Sequence, residues 1–423
     1  MPRSPDLSAP AHRAVAAHAT AEVTASTRML GNDLVLSENA CNLGCSYCLT
    51  GQSNMKASHE SQLIFKPPVV DRYEPASPLQ QRLALIIDRV DRKLQPPLLK
   101  ITGGEIFIIR GIMDFIETVA PMHEAVIVQS NGLPLTADRI ARLKALGNIV
   151  VQISLDSSVY EGNSYRVGAP HLHEMVMARI RAVLEAGLPL ELYGVLNDRS
   201  APYLADFVRW CGEFQGNVPQ LFPFPVRGPD CGEFKVRPDQ WGFIDALSDL
   251  RIQYPEVLPP QPYLDRLSAF YHDGQRSWRC HLPRLVISTF DDGVTTPCPN
   301  IWFHSMGDLT SDRWEDVLDQ VNQTAFYELL LGERPRLDAC KGCFTPWDTL
   351  SLYFEDFISL DELCRAPSYA PPGIRALIES RKAAYLSERQ VVRRPGAFSA
   401  GFGGTGAPLP SPSAAALGAS VVP

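Results

Sequence analysis

From about Asp33 onward the chain alternates short β-rich runs with longer amphipathic stretches, and this alternation limits its fold more than any other feature. Strands are expected at Leu34–Glu38, Leu98–Thr102, Ala125–Asn131, Ile149–Leu155, Leu190–Leu196 and Gln220–Phe224. Between them lie helical patterns at Gln81–Leu94, Gly111–Val119, Asp138–Ala145, His171–Ala186 and Tyr203–Cys211. Repeated βα units of this kind build a parallel sheet, so the fold class is α/β. Six units fall short of the eight that close a full barrel, and the chain therefore predicts a curved, partial (β/α)6 TIM-like barrel over residues 32–225.

The flanks read differently. Residues 1–31 lack the continuous apolar centre of a secretory signal and are expected to form a disordered leader. Residues 226–278, rich in Pro, Gly and charge, read as a connector with one short helix around Trp241–Leu250. Leu285–Phe290 and Val294–Pro297 flank Asp291-Asp292-Gly293, a composition suited to a tight hairpin turn. Helical patterns return at Arg313–Leu331 and Ile374–Arg389, the latter inside a C-terminal helix assigned to 366–394. Residues 395–423 are of low complexity and are expected to form a disordered tail. The tail's Gly401-Phe402-Gly403-Gly404-Thr405-Gly406 matches the dinucleotide fingerprint formally, but without a strand before it or a helix after it the pyrophosphate-binding geometry is missing.

A net charge of −8 and a pI near 5.6 argue against nucleic acid, whose recognition needs a basic stripe. No run of about 18 apolar residues is present, so no membrane span is expected. Ten cysteines in 423 residues are too few for a disulfide scaffold. Their grouping is metal-like, which places the chain in a reducing cytoplasm.

Cys41-Asn42-Leu43-Gly44-Cys45-Ser46-Tyr47-Cys48 sets three cysteines in eight residues just after the first strand. Three thiolates can hold three irons of a cubane and leave the fourth open, whereas structural zinc normally takes four protein ligands. A zinc loop completed by a distant ligand is the alternative reading of these residues alone. Thr102-Gly103-Gly104-Glu105 ends the second strand, Ser130-Asn131-Gly132 the third and Ser154-Leu155-Asp156 the fourth. All sit at the strand ends where such barrels place their chemistry.

The joint order of CxxxCxxC, Gly-Gly-Glu and these polar strand ends resembles the radical S-adenosylmethionine (SAM) superfamily. The resemblance implies that Cys41, Cys45 and Cys48 hold a 4Fe-4S cluster whose open iron is chelated by SAM. It implies that Tyr47 lies near the adenine, that Gly103, Gly104 and Glu105 receive the SAM ammonium, and that Asn131 and Ser154 contact ribose or carboxylate. Asp156 would orient the site. Reductive cleavage of SAM would then give a 5′-deoxyadenosyl radical that removes hydrogen from a substrate.

Cys280, Cys298, Cys340 and Cys343 form a second group. Their order, with Gly293 ahead of Cys298, resembles the SPASM and twitch domains that radical SAM enzymes append. Only Cys364 follows, 21 positions beyond Cys343, which suits the shorter twitch type: a small α+β domain over residues 279–365 with one auxiliary 4Fe-4S cluster. A four-Cys zinc site is the alternative. Cys211, Cys231 and Cys364 are assigned to packing.

The expected function is a radical SAM oxidoreductase whose auxiliary cluster takes up an electron, itself served by a flavodoxin- or ferredoxin-type donor. Glu191 and Tyr193 on the fifth strand, and Arg227 and Asp230 after the sixth, are the substrate-side candidates. Only about 32 residues precede the first strand, too few for a leader-binding domain with its own core. A small polar metabolite is therefore expected as substrate, with maturation of a ribosomal peptide as the alternative. A non-catalytic iron–sulfur or zinc protein is the reading from another class.

Overall fold

The computed structural model describes residues 28–36, 41–49, 72–228 and 231–393. Most of the leader, Glu38, Asp230 and the whole Gly-rich tail lie outside these residues.

Six parallel strands, β1 (Gly31–Leu36), β2 (Leu98–Gly103), β3 (Ala125–Ser130), β4 (Ile149–Ser154), β5 (Leu190–Leu196) and β6 (Gln220–Pro225), pair in sequential order. Helices α1 (Pro78–Leu94), α2 (Ile112–Val119), α3 (Ala137–Leu146), α4 (Pro170–Glu185) and α5 (Leu204–Gly212) make the crossovers. Every residue of β1 and of β5 is buried, as expected for strands covered on both faces. α1 shows how sequence fixes a helix locally. Ser77 caps it by accepting from the Gln80 amide at 3.1 Å, Pro78 occupies the first turn, and Leu79, Leu83, Ile86, Ile87, Val90 and Leu94 form its buried stripe.

The sheet is curled. Lys100 on β2 places its ammonium 5.2 Å from the centroid of the Tyr193 ring on β5. In a flat sheet those strands would lie three spacings of about 4.8 Å apart. Such side chains therefore meet across a lumen.

β7 (Val286–Phe290) and β8 (Val294–Thr296) form the expected antiparallel hairpin, with Gly293 at φ +98° in its turn. Not foreseen is that β7 pairs in parallel with β1, Gly31 opposite Val286 and Val35 opposite Phe290. The hairpin and the short β9 (Gly307–Asp308) thus extend the barrel sheet beyond β1. The connector also holds more helix than its composition suggested. α6 (Gln261–Asp273) begins at a Pro-rich stretch, because Pro in the first helical turn costs no hydrogen bond. The single pattern at 313–331 is two short helices, Trp314–Asp319 and Ala325–Leu330, with Asn322 at φ +62° between them. α7 (Asp348–Phe354) packs on α6, and α8 (Pro372–Arg393) closes the chain.

Candidate active site

The three-thiol loop leaves the C-terminal end of β1 and rests on the loop after β4. The Ser46 amide donates to the Tyr165 carbonyl at 2.9 Å, and the Cys45 thiol to the Arg166 carbonyl at 3.6 Å. Burial pushes the Cys45 thiol up to about 11, aided by Cys48 and Cys41 nearby and opposed by Arg166. Cys41 is raised mainly by burial, while the Leu43 amide at 3.4 Å and the Asn131 amide at 3.8 Å donate to its sulfur. Donors aimed at sulfur are what a cluster-bearing thiolate needs.

Gly103 lets β2 end against β1. Its φ is +152°, and a Cβ there would stand 1.8 Å from the Leu36 carbonyl oxygen. The turn that follows delivers Glu105, whose buried carboxylate accepts from the Asn131 amide at 2.7 Å, the Phe107 amide at 3.1 Å and the Ser130 hydroxyl at 3.0 Å. Burial outweighs these donors and pushes the carboxyl up to about 7. Asn131 in turn donates to Asn42 Oδ1 at 2.7 Å, tying the end of β3 to the three-thiol loop. Ser154, half-buried, stands opposite Tyr193 at the end of β4.

Asp156 is fully buried and filled by protein donors. Arg166 Nη2 and Nε reach Oδ1 at 2.9 and 3.2 Å, the Val195 amide joins them at 3.2 Å, and the Tyr47 hydroxyl donates to Oδ2. The Tyr47 ring lies beneath the Arg166 guanidinium, 5.6 Å from its carbon, and edge-on to Phe234. Asp156 therefore orients the loop through Arg166 and Tyr47 and does not present a free oxygen to a ligand. Arg166 escaped sequence reasoning. The available signal was slight: an acid at the end of a strand and an arginine ten residues later in a polar loop.

The second group is assembled from separated segments. Cys280 precedes a one-turn helix, Leu282–Leu285, that leads into β7, Cys298 follows β8, and Cys340 and Cys343 flank the end of another one-turn helix, Asp338–Lys341. All four line one small cavity. Burial pushes Cys340 up to about 12 and Cys343 up to about 11, and each of the two is raised further by Cys280. Behind them the Arg276 guanidinium meets Asp348 at 2.6 Å, both side chains almost wholly buried.

Between the two groups lies a cavity of about 730 Å³. Leu49, the residue after Cys48, forms part of its wall, and Cys343 of the second group forms another. Arg227, Lys235, Trp302 and Cys231 complete the features that matter chemically. Arg227 donates to Asn300 Oδ1. Cys231 packs in the core as expected, and it also borders this space and donates to the Gly228 carbonyl at 2.7 Å. Cys211 and Cys364 also pack against the core.

Residues 36–210 match the model of the radical SAM superfamily. The chain therefore carries a radical SAM domain over these residues. Its segment is similar to the sporulation killing factor maturation protein SkfB of Bacillus subtilis (strain 168), with 27% identity over 177 residues, or 41% of this chain. The match spans only 37% of the length of that relative. Among solved structures, Streptococcus suis SuiB bound to S-adenosylmethionine aligns with TM-score 0.51 and 14% identity, covering 71% of this chain and 67% of SuiB. SuiB bound to its precursor peptide SuiA aligns with TM-score 0.52 and 14% identity, covering 74% of this chain and 76% of SuiB. Native anSMEcpe with bound AdoMet aligns with TM-score 0.50 and 13% identity, covering 86% of this chain and 98% of that one. These structures share the α/β fold.

A radical SAM enzyme uses SAM and a 4Fe-4S cluster. Among the described residues no three His, Cys, Asp or Glu side chains converge on a point that would hold a single metal ion. A cubane binds each thiolate at a different corner, so its ligands stand apart and need no such convergence. Of the substrate-side expectations, Arg227 lies on the cavity wall. Glu191 does not. It is buried near the start of β5, accepting from Gln152 at 2.7 Å and from Ser368 at 2.8 Å, because a carboxylate inside the lumen must find donors there. Tyr193 packs between Phe222 and Phe224, with ring centroids at 6.1 and 5.7 Å. Among the described residues no helix is long and apolar enough to cross a membrane.

Proposed function

We propose that this radical SAM enzyme modifies a peptide bound in the cavity between its two cysteine groups. In this reading Cys41, Cys45 and Cys48 hold the 4Fe-4S cluster that binds SAM, and Cys280, Cys298, Cys340 and Cys343 hold an auxiliary 4Fe-4S cluster. The observation that carries the reading is that one cavity is walled by both Leu49 and Cys343. A substrate there lies beside the place where hydrogen is removed and beside a place that can take up an electron.

Cys41, Cys45 and Cys48 would hold the cluster, which when bound would supply the electron for reductive cleavage of SAM and would be replenished by a flavodoxin- or ferredoxin-type donor. The chain's own residues do the positioning. Asn131 and the Leu43 amide donate to Cys41, Asp156 fixes Arg166 and Tyr47, and Gly103 with Glu105 shapes the floor on which SAM would lie. Arg227, anchored by Asn300, orients acceptor groups of the substrate.

A small polar metabolite is the competing substrate class. The name of the SkfB relative, a maturation protein of a killing factor, supports a peptide instead, and the volume of the cavity accommodates several residues of one. The test is incubation of the reconstituted enzyme with SAM, a reductant and a library of short synthetic peptides, followed by mass spectrometry. A modified peptide together with 5′-deoxyadenosine is expected. Turnover of a sugar or aminocyclitol, with no peptide bound or modified, would overturn the peptide assignment.

A further inference from the structure

We propose that Asp33, at mid-height in the barrel lumen, accepts the proton that accompanies the arrival of an electron at the four-thiol site. This rests on the reading of Cys280, Cys298, Cys340 and Cys343 as ligands of an iron–sulfur cluster.

Asp33 is the third residue of β1 and is 4% exposed. Its neighbours come from four directions. Lys100 stands directly opposite it on β2 and Ser288 opposite it on β7, Tyr193 reaches over from β5, and Arg227 approaches from beyond β6. Yet its Oδ1 has no hydrogen-bond partner among the described residues. The Lys100 ammonium instead lies over the rings of Tyr193 and Trp347, at 5.2 and 5.6 Å. Burial raises the Asp33 carboxyl, and Lys100 and Arg227 only partly counter it.

The other buried carboxylates nearby are already engaged. Asp348, beside the four thiols, takes Arg276 at 2.6 Å and the Thr345 amide at 2.9 Å. Glu191 has one donor on each oxygen. Protonating either would weaken charge-assisted hydrogen bonds, whereas Asp33 Oδ1 has none to lose. Arg227 links the lumen to the second site, since it acts electrostatically on Asp33, on Lys100 and on Cys343. A negative charge added near Cys343 offsets the field of Arg227 and raises the proton affinity of Asp33. The effect is strong where little water screens it.

The step balances. Once a hydrogen atom has passed from a substrate C–H bond to the adenosyl radical, the remaining substrate radical gives one electron to the auxiliary cluster. It also releases one proton, which adds to the Asp33 carboxylate and forms the carboxylic acid. The substrate is oxidised to a closed-shell product, the cluster is reduced by one electron, and the buried region gains no net charge.

The test needs no substrate. In full-length protein carrying Cys41→Ala, Cys45→Ala and Cys48→Ala, only the auxiliary cluster remains, and its reduction potential is titrated against pH. The potential is expected to fall as pH rises, with one proton taken up per electron across a window bounded by the two Asp33 pKa values. Asp33→Asn, nearly isosteric, should make it independent of pH over that window. Lys100→Met, which removes the nearest cation, should move the window to higher pH. A wild-type lumen that gives a flat potential, or an Asp33→Asn protein that keeps the slope, overturns the inference. Absence of any iron–sulfur signal overturns the cluster reading itself, and this inference with it.

Discussion

The two cysteine groups have opposite architectures. Cys41, Cys45 and Cys48 are neighbours in sequence on one loop, Cys41 is exposed, and the loop is held from below by the segment after β4. Cys280, Cys298 and the Cys340–Cys343 pair come from three separated segments, and the pairing of β7 with β1 fixes on the barrel sheet the hairpin that Cys280 and Cys298 flank. Both groups are backed by a buried arginine–aspartate pair, Arg166 with Asp156 and Arg276 with Asp348. An open, local site can admit a cosubstrate to an unliganded iron. A closed site assembled by tertiary structure excludes it and is suited to holding an electron.

The largest consequence of this contrast is in what each group's cysteines control. Cys41→Ala, Cys45→Ala or Cys48→Ala should abolish SAM cleavage and remove about half of roughly eight irons, with the fold retained, because no strand depends on the loop. Cys298→Ala or Cys343→Ala should also remove about half the iron, but leave SAM cleavage uncoupled from product. It should destabilise the C-terminal region as well, since metal binding there is part of folding. Iron quantitation, 5′-deoxyadenosine assays and thermal melts read all three effects. Full product formation by Cys298→Ala would erase the distinction between the groups.

The same contrast explains what was legible in the sequence. The three-thiol loop, the Gly-Gly-Glu turn and the strands were readable because each is written in contiguous residues. Leu190–Leu196 is a short, mostly apolar run between turn signals, and it is a strand over those same residues. The parallel pairing of β7 with β1 was not readable, because Val286–Phe290 looks like one arm of a hairpin and nothing local encodes its second partner. α6 was hidden by the prolines that start it. Glu191 was placed at the substrate by its position on a strand, but alternation settles only which face a side chain takes. How deep it sits along the barrel follows from register, which put Glu191 beside Gln152 and Ser368. Arg166 and Lys100 are functional in appearance only once burial is known.

A second, smaller effect tests whether the backing pairs are equivalent. Arg166→Met strands Asp156, whose side chain is fully buried, and Arg276→Met strands Asp348 at 3% exposure. Removing one partner of a buried ion pair costs about 3 to 5 kcal/mol, because the remaining charge loses both water and counter-ion. Both variants should therefore lose stability of that order in urea titrations of iron-free protein. Reconstitution should separate them: Arg166→Met should lower SAM affinity through the three-thiol loop, and Arg276→Met should leave SAM affinity as it was. Equal losses of SAM affinity in the two variants would mean that the regions are not independent.

The smallest expected effect concerns Tyr47, the aromatic residue within the three-thiol loop. Its hydroxyl is buried on Asp156, which also takes Arg166 through two nitrogens and the Val195 amide. Tyr47→Phe removes one donor from a carboxylate that keeps the others, and the ring, packed edge-on to Phe234, stays in place. A hydrogen bond of this kind is worth about 1 kcal/mol net, and the engaged guanidinium prevents the full penalty of a stranded charge. Tyr47→Phe should therefore lower stability by about 1 kcal/mol in the same urea titration, with iron content unchanged and SAM cleavage largely kept. Tyr47→Ala, which also deletes the ring beneath Arg166, should lose considerably more of both. If Tyr47→Phe instead matches Tyr47→Ala in lost SAM cleavage, the hydroxyl acts on the cosubstrate directly and the loop is less a separately latched unit than its contacts imply.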